Sequence, residues 1–186
     1  MSEPTAILDA CVLYPAPLRD LLMHLAVADA FRARWTEQIH NEWIQNLLAS
    51  REDLTIEKLN RTRELMNANV RDCIVRGYED LIDGIDLPDP DDRHVVAAAI
   101  KSKAETIVTF NLKDFPKKLI GRYGIEAIHP DKFVLSLIKA DAESVLLAVR
   151  RQHISLRNPP ISLPDFLAAL ERNGLLGTVD YLRQSL

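Results

Sequence analysis

The sequence predicts an α/β fold in which a mainly parallel sheet is wrapped by helices and followed by a region built of helices alone. Three observations predict it. Short apolar, partly β-branched segments recur before residue 130. Segments of helical periodicity, long enough to serve as crossovers, separate them, and that alternation builds parallel sheets. From Pro130 onward the strand pattern does not return. The expected division is a sheet-containing unit over residues 1–129 and a helical extension over residues 130–186.

The first element is the apolar segment from Thr5 to Leu8, a buried strand that runs into a loop at Asp9 and is closed off by Pro15 and Pro17. "PLRDLLMHLAVADAFRA", residues 17–33, reads as a helix with Pro at its start and Leu18, Leu21, Leu22 and Leu25 at helical spacing. A short strand is expected at Arg34 and Trp35. Thr36 then caps a second helix, "EQIHNEWIQNLLAS", with Ile39, Trp43 and Leu47 on one side, and "TIEKLNRTRELMNANV" forms a charge-rich third. Beyond a pair of prolines, "DDRHVVAAAIKSKA" is helical, "ETIVTFN" a strand, "LKDFPKKLIGRYG" a loop with a short helix, and "IEAIH" a further strand. The extension divides into "PDKFVLSLIKA", "DAESVLLAVRRQHISL", "SLPDFLAALERN" and "TVDYLRQSL", all amphipathic helices, with "RNPPIS" as a break between the second and third.

With 186 residues and 47% hydrophobic content, the chain can fill one core. The longest apolar run, "VVAAAI", is too short to cross a bilayer, and "MSEPTAILDACVLY" has no secretion-signal pattern, so a cytoplasmic protein away from membranes is expected. Cys11 and Cys73 stand far apart with no CxxC pair and are expected as buried free thiols. A net charge of -4 argues weakly against a general nucleic-acid binder. The charge is unevenly spread, however: residues 1–115 carry 13 Lys+Arg against 20 Asp+Glu, and residues 116–186 carry 10 against 7. Seven acids fall between residues 79 and 92 with no base among them. Such crowding is tolerated in a solvated loop and costs less still beside a cation.

The end of that acidic run, "DPDDRHVVAAA", supports two readings. Asp89 as N-cap, Pro90 at the first helical position and Asp91 and Asp92 in the first turn make a favourable helix start that needs no ligand. Yet Asp92 lies three, four and seven residues before Val95, Val96 and Ala99, in the middle of the apolar stripe, whereas Asp91 is about 100° round the helix at its edge. A carboxylate aimed at the core needs a partner. Asp9 ends the first strand and Asp114 follows "VTFN", and sites in open parallel sheets gather beyond the carboxyl ends of the strands. Glu42 lies off the centre of its helix's apolar face, where a solvated glutamate is the plainer reading. Each acid alone can be structural. Together, Asp9, Glu42, Asp92 and Asp114 compose an oxygen-rich set suited to Mg²⁺ or Mn²⁺, ions that activate water and neutralise a phosphodiester under attack. Other chemistries lack their parts: His40-Asn41-Glu42 has no P-C-x-x-C beside it, and H-E-x-x-H, a Gly-rich phosphate loop and G-x-S-x-G are all missing. His94 could touch a phosphate, but an ordinary helix histidine is the plainer reading.

"ILDACVLY" with Asp9, "IHNEW" with Glu42, "LPDPDDRHVVAAA" with Asp92 and its neighbour Asp91, and "IVTFNLKDFP" with Asn111 and Asp114 follow one another over residues 6–116. In this order they resemble the PIN-domain nucleases, in particular the VapC-like toxins of prokaryotic toxin–antitoxin pairs. The last two segments are the more specific. The resemblance implies a parallel sheet of about five strands between helices, an acidic Mg²⁺ or Mn²⁺ site, and hydrolysis of RNA phosphodiester bonds. Carried over by position, Asp9, Glu42 and Asp92 ligate the metal, Asp114 completes the site or orients water, and Asn111 supports it. It also implies RNA as substrate, a cognate antitoxin protein as partner and a homodimer. Position 11, often a small polar residue in this motif, is Cys11 here, which leaves Asp9 untouched and changes its surroundings. The helices after Pro130 match a longer VapC-like subgroup and are expected to serve packing, dimerisation or antitoxin contact.

Two rivals remain at this level. A haloacid-dehalogenase-like phosphatase also places an Asp after its first strand, but Asp9-Ala10-Cys11 lacks the second acid two residues on. A PIN-fold module that binds nucleic acid without cutting is disfavoured by the complete set of acids.

Overall fold

A computed structural model describes residues 3–186. In chain order it runs β1 (Thr5–Leu8), α1 (Ala10–Leu13), α2 (Ala16–Val27), β2 (Arg32–Arg34), α3 (Glu37–Ser50) and α4 (Ile56–Asn69). After 3-10 turns at Glu79–Gly84 and Pro90–Asp92 come α5 (Arg93–Ser102), β3 (Thr106–Val108), a 3-10 turn at Leu112–Asp114, α6 (Lys117–Ile120) and a 3-10 turn at Gly121–Tyr123. β4 (Glu126–Ile128) is followed by α7 (Pro130–Ala140), α8 (Ala142–Ser155), α9 (Leu163–Arg172) and α10 (Leu176–Ser185).

The strands form one parallel sheet in the order β2-β1-β3-β4, with Ile7 opposite Arg34 on one side and Ile107 on the other. β1 is central. Helices cover both of its faces, so Ala6, Ile7 and Leu8 are all fully buried, and this explains its continuous rather than alternating apolar pattern.

Four strands form among the described residues, one fewer than the family resemblance implies. At the free side of β2, Trp35 donates to the Cys73 carbonyl and accepts from the Val75 amide, a single parallel bridge to Ile74. The pairing goes no further because Asp72 on one side and Gly77 on the other take positive φ, 53° and 68°, which turns the chain away. The helix expected over residues 17–33 also stops early, at Val27. Asp29 adopts φ 55° and the Ala30 amide reaches back to the Leu25 carbonyl at 3.0 Å, a left-handed helix ending. The released residues alternate, with Phe31 and Ala33 in the core and Arg32 outside, so the second strand is Arg32–Arg34 and Trp35 serves only the bridge.

The helical extension lies against the sheet unit and shares its core. α8 packs along α2, where Gln152 Nε2 donates to the Pro17 carbonyl at 3.1 Å. Phe133 of α7 meets Phe31 edge-on at 4.9 Å. Within the extension, the Asp131 carboxylate accepts the amides of Gly177 and Thr178 at 2.9 and 2.8 Å, pinning the start of α10 to α7. None of the described helices is long and apolar enough to cross a membrane.

Candidate functional site

The carboxyl ends of β1 and β3 are stitched together by side chains. Asp9 leaves β1 as the N-cap of α1, its Oδ1 accepting from the Ala10 amide at 2.7 Å. Its Oδ2 accepts from the Thr109 hydroxyl at 2.7 Å and from the Cys11 thiol at 3.2 Å. The Thr109 oxygen in turn accepts the Asn111 amide at 3.0 Å, and the Cys11 sulfur accepts the Phe110 amide at 3.3 Å. Asp9 is only 5% exposed, and three donors, two from α1 and one from the residue after β3, fix where its carboxylate points. Cys11 is half-buried rather than fully buried as expected, and it borders the site. Burial first and the Asp9 charge second push its thiol up to about 12, so at neutral pH it serves as a hydrogen-bonding group and not as a thiolate.

The "DPDD" segment makes the helix start of its first reading, and its second carboxylate still turns toward other acids. Asp89 caps the 3-10 turn Pro90–Asp92 by accepting the Asp91 amide at 2.9 Å, and Asp92 occupies the N-cap position of α5 without making a side-chain cap. Asp91 is exposed and Asp92 half-buried, as their spacing to the apolar stripe leads one to expect. Burial, followed by the charges of Asp9, Asp89 and Asp114, raises the Asp92 carboxyl to about 6. A single step along the chain therefore separates a solvated acid from one raised by burial and by neighbouring carboxylates.

Glu42 comes from α3, whose first turn is held by Thr36 accepting the Ile39 amide at 3.0 Å. It is not free in solvent. His94 of α5, only 3% exposed, meets Glu42 Oε1 with its Nε2 at 2.9 Å. A carboxylate only accepts, so Nε2 carries the hydrogen, while Nδ1 is buried without a partner. The histidine that read as an ordinary helix residue thus ties α5 to α3 through the carboxylate.

Asp9, Glu42, Asp92 and Asn111 line one open cleft of about 500 Å³ together with Tyr14 and Asn46. Asp114, in the turn after Asn111, is outside that lining but near enough for its charge to bear on Asp92. Asp91 is outside it altogether. Among the described residues no three His, Cys, Asp or Glu side chains come close enough to hold a metal ion jointly. The donor chemistry nevertheless fits a hard divalent cation: the acids of the cleft offer only oxygen, and the Asp92 carboxyl is raised by burial first and then by negative neighbours whose repulsion a cation would offset. Tyr14, Asn46, Thr109 and the buried contact of His94 were not identified from sequence. Asn46 lies one turn beyond Glu42, which is a usable signal; the other contacts join residues too distant in the chain to leave one.

Two family models match the chain: a PIN domain over residues 5–113 and a VapC50 C-terminal domain over residues 130–184. A protein of Mycobacterium tuberculosis (strain ATCC 25618 / H37Rv), described as "Putative ribonuclease VapC50", is 38% identical over 94 residues, covering 50% of this chain and 55% of that protein. The chain spans about half the length of this curated relative. No solved structure matches the chain.

Proposed function

The chain belongs to the PIN-domain family, and from that premise we propose that it is a metal-dependent endoribonuclease, the toxin of a toxin–antitoxin pair, which hydrolyses RNA phosphodiester bonds. The observation that supports this best is the convergence of Asp9 and Asp92, from the ends of β1 and α5, on one cleft, with the Asp92 carboxyl raised by burial and then by the charge of Asp9. The relative's name supports RNA as the substrate class.

Asp9, Glu42, Asp92 and Asp114 would hold Mg²⁺ or Mn²⁺, with Asn111 in support. A divalent ion, when bound, supplies an activated water and neutralises phosphate oxygens. The chain contributes placement. Thr109 and Cys11 fix Asp9, and His94 holds Glu42 at the wall of the cleft. Raised to about 6, Asp92 is mostly charged at neutral pH, as cation binding requires, and takes up a proton more readily than an ordinary carboxylate as pH falls, which eases its coexistence with Asp9 when no cation is bound. We assign this chemistry to residues 1–129 and contacts with an antitoxin or a second copy to residues 130–186. Membership in the PIN family leaves a phosphatase of the haloacid-dehalogenase type without support.

The test is incubation of the purified protein with mixed RNAs, with and without Mg²⁺ or Mn²⁺, beside the Asp9→Asn variant. Wild type should cut only with metal, and Asp9→Asn should fold without cutting. Metal-dependent cleavage at the wild-type rate by Asp9→Asn would remove the metal site from its proposed place. A folded wild type that binds RNA but never cuts it would instead be a non-cleaving PIN module.

A further inference from the structure

A second cavity, of about 460 Å³, adjoins the acidic cleft between the turn linking α1 to α2, the end of α3 and the first half of α4. Tyr14 lines both spaces. From one to the other the charge changes sign. The charged side chains of the second cavity are Arg19, Arg51 and Lys58, all of them basic.

Arg19 is held in an unusual state. Its side chain is only 9% exposed, with Cζ 5.0 Å from the centroid of the Trp43 ring and Nη1 donating to the Leu13 carbonyl at 2.8 Å. Its Nε is buried with no hydrogen-bond partner, and the Asp20 carboxylate is 4.0 Å away. A buried guanidinium short of acceptors is costly unless an anion comes near. The other two cations are exposed. Arg51 forks onto Asp53 at 2.7 and 2.8 Å, and Lys58 Nζ reaches the Asp53 carbonyl at 3.4 Å. Both contacts are open to solvent and to salt, and the Arg51 fork leaves Nη1 free of Asp53 for a second anion. Between the cations the walls are apolar, from Pro15, Pro17 and Leu54.

Cations to take phosphate, apolar wall to take a base, and an aromatic ring at the junction form the combination that binds single-stranded nucleic acid. The volume is that of a small-ligand site. A cleft of carboxylates repels a polyanion, so affinity for one has to come from cations outside the cleft. We propose that this cavity is a subsite for one nucleotide of single-stranded RNA next to the bond presented to the acidic cleft, with Arg51 and Lys58 on its phosphate and Tyr14 as the wall shared by the two spaces. The identity of the polyanion rests on the nuclease reading above.

The experiment measures binding without cleavage: a fluorescently labelled single-stranded oligoribonucleotide of mixed sequence is titrated with protein in EDTA at several salt concentrations. Arg51→Gln and Lys58→Gln should each weaken binding several-fold and flatten the dependence of log affinity on log salt, and the double variant should flatten it by about 0.7, one phosphate contact on a single strand. Lys139→Gln removes an equal charge from the exposed end of α7 and should leave both unchanged. Equal effects from all three substitutions, or none from Arg51→Gln and Lys58→Gln, would overturn the subsite. Failure of the nuclease reading looks different: wild type would bind the oligonucleotide through this cavity and never cut it with metal present.

Discussion

Asp92 carries a pH dependence whose sign can be worked out. Its carboxyl is raised from the ordinary 3.8 to about 6 in the fold, so between about pH 4 and pH 6 the folded chain binds more protons than the unfolded one. Without metal, stability should therefore be greatest below that window and fall as pH rises through it. A divalent cation needs the charged form, and its stabilising effect should appear only as pH rises past about 6. Melting curves with EDTA and with Mg²⁺ across pH 4–8 check both slopes. Asp92→Asn should flatten both, and Asp91→Asn, on the exposed side, should change neither; equal behaviour of the two variants would reduce "DPDD" to a helix start. Asp92 is half-buried and Asp91 exposed, as the spacing to Val95, Val96 and Ala99 leads one to expect. Yet both stand in a 3-10 turn before α5 and every residue from His94 to Ala99 is buried, so helical phase alone does not account for the difference. The clamp on Asp9 was not legible. Cys11 and Thr109 stand 98 residues apart, and nothing local marks either as the other's neighbour.

Helices and strands were legible where one signal dominated. Thr36 and Asp141 cap their helices as hydroxyl and carboxylate caps do, and α7 begins and ends where "PDKFVLSLIKA" does. Sequence reasoning failed where the chain changes state within an apolar stretch. "ADAFRA" suits a helix by propensity, yet the left-handed turn at Asp29 and burial of Phe31 and Ala33 make it a strand, a tertiary choice that overrides a weak local one. Contacts between elements are the least legible, and one of them bears on function. His94 joins α5 to α3 through Glu42 at 2.9 Å, so the position of Glu42 in the cleft depends on a helix distant in sequence. His94→Ala should release that carboxylate and lower metal-dependent cleavage about 10- to 100-fold, the usual effect of removing a group that orients a ligand. The comparison is with Glu42→Gln, and the readouts are cleavage rate and metal titration. His94→Gln, which keeps a donor, should recover part of the loss. A wild-type rate in His94→Ala would return Glu42 to the solvent.

The sequence suggests a sheet unit with helices appended, whereas the molecule packs both around one core. α2 is covered by α8 and touched by α9, and Phe31, just before β2, meets Phe133 of α7. Periodicity identifies each amphipathic face in the extension but not what it faces, because apolar stripes are interchangeable as partners. If the core is shared, damage in the extension must be felt in the sheet unit. Leu170 of α9 is fully buried, and Leu170→Ala should cost about 2–5 kcal/mol. The two tryptophans of the chain, Trp35 and Trp43, are both fully buried in the sheet unit, so their fluorescence reports on the unit in which the substituted residue does not lie. With one cooperative core, the tryptophan transition in urea shifts to lower concentration in Leu170→Ala and coincides with the loss of helical circular dichroism. An unshifted tryptophan transition, with part of the helical signal lost ahead of it, would mean that residues 130–186 unfold on their own and that the contacts of α8 with α2 contribute little to the stability of the cleft.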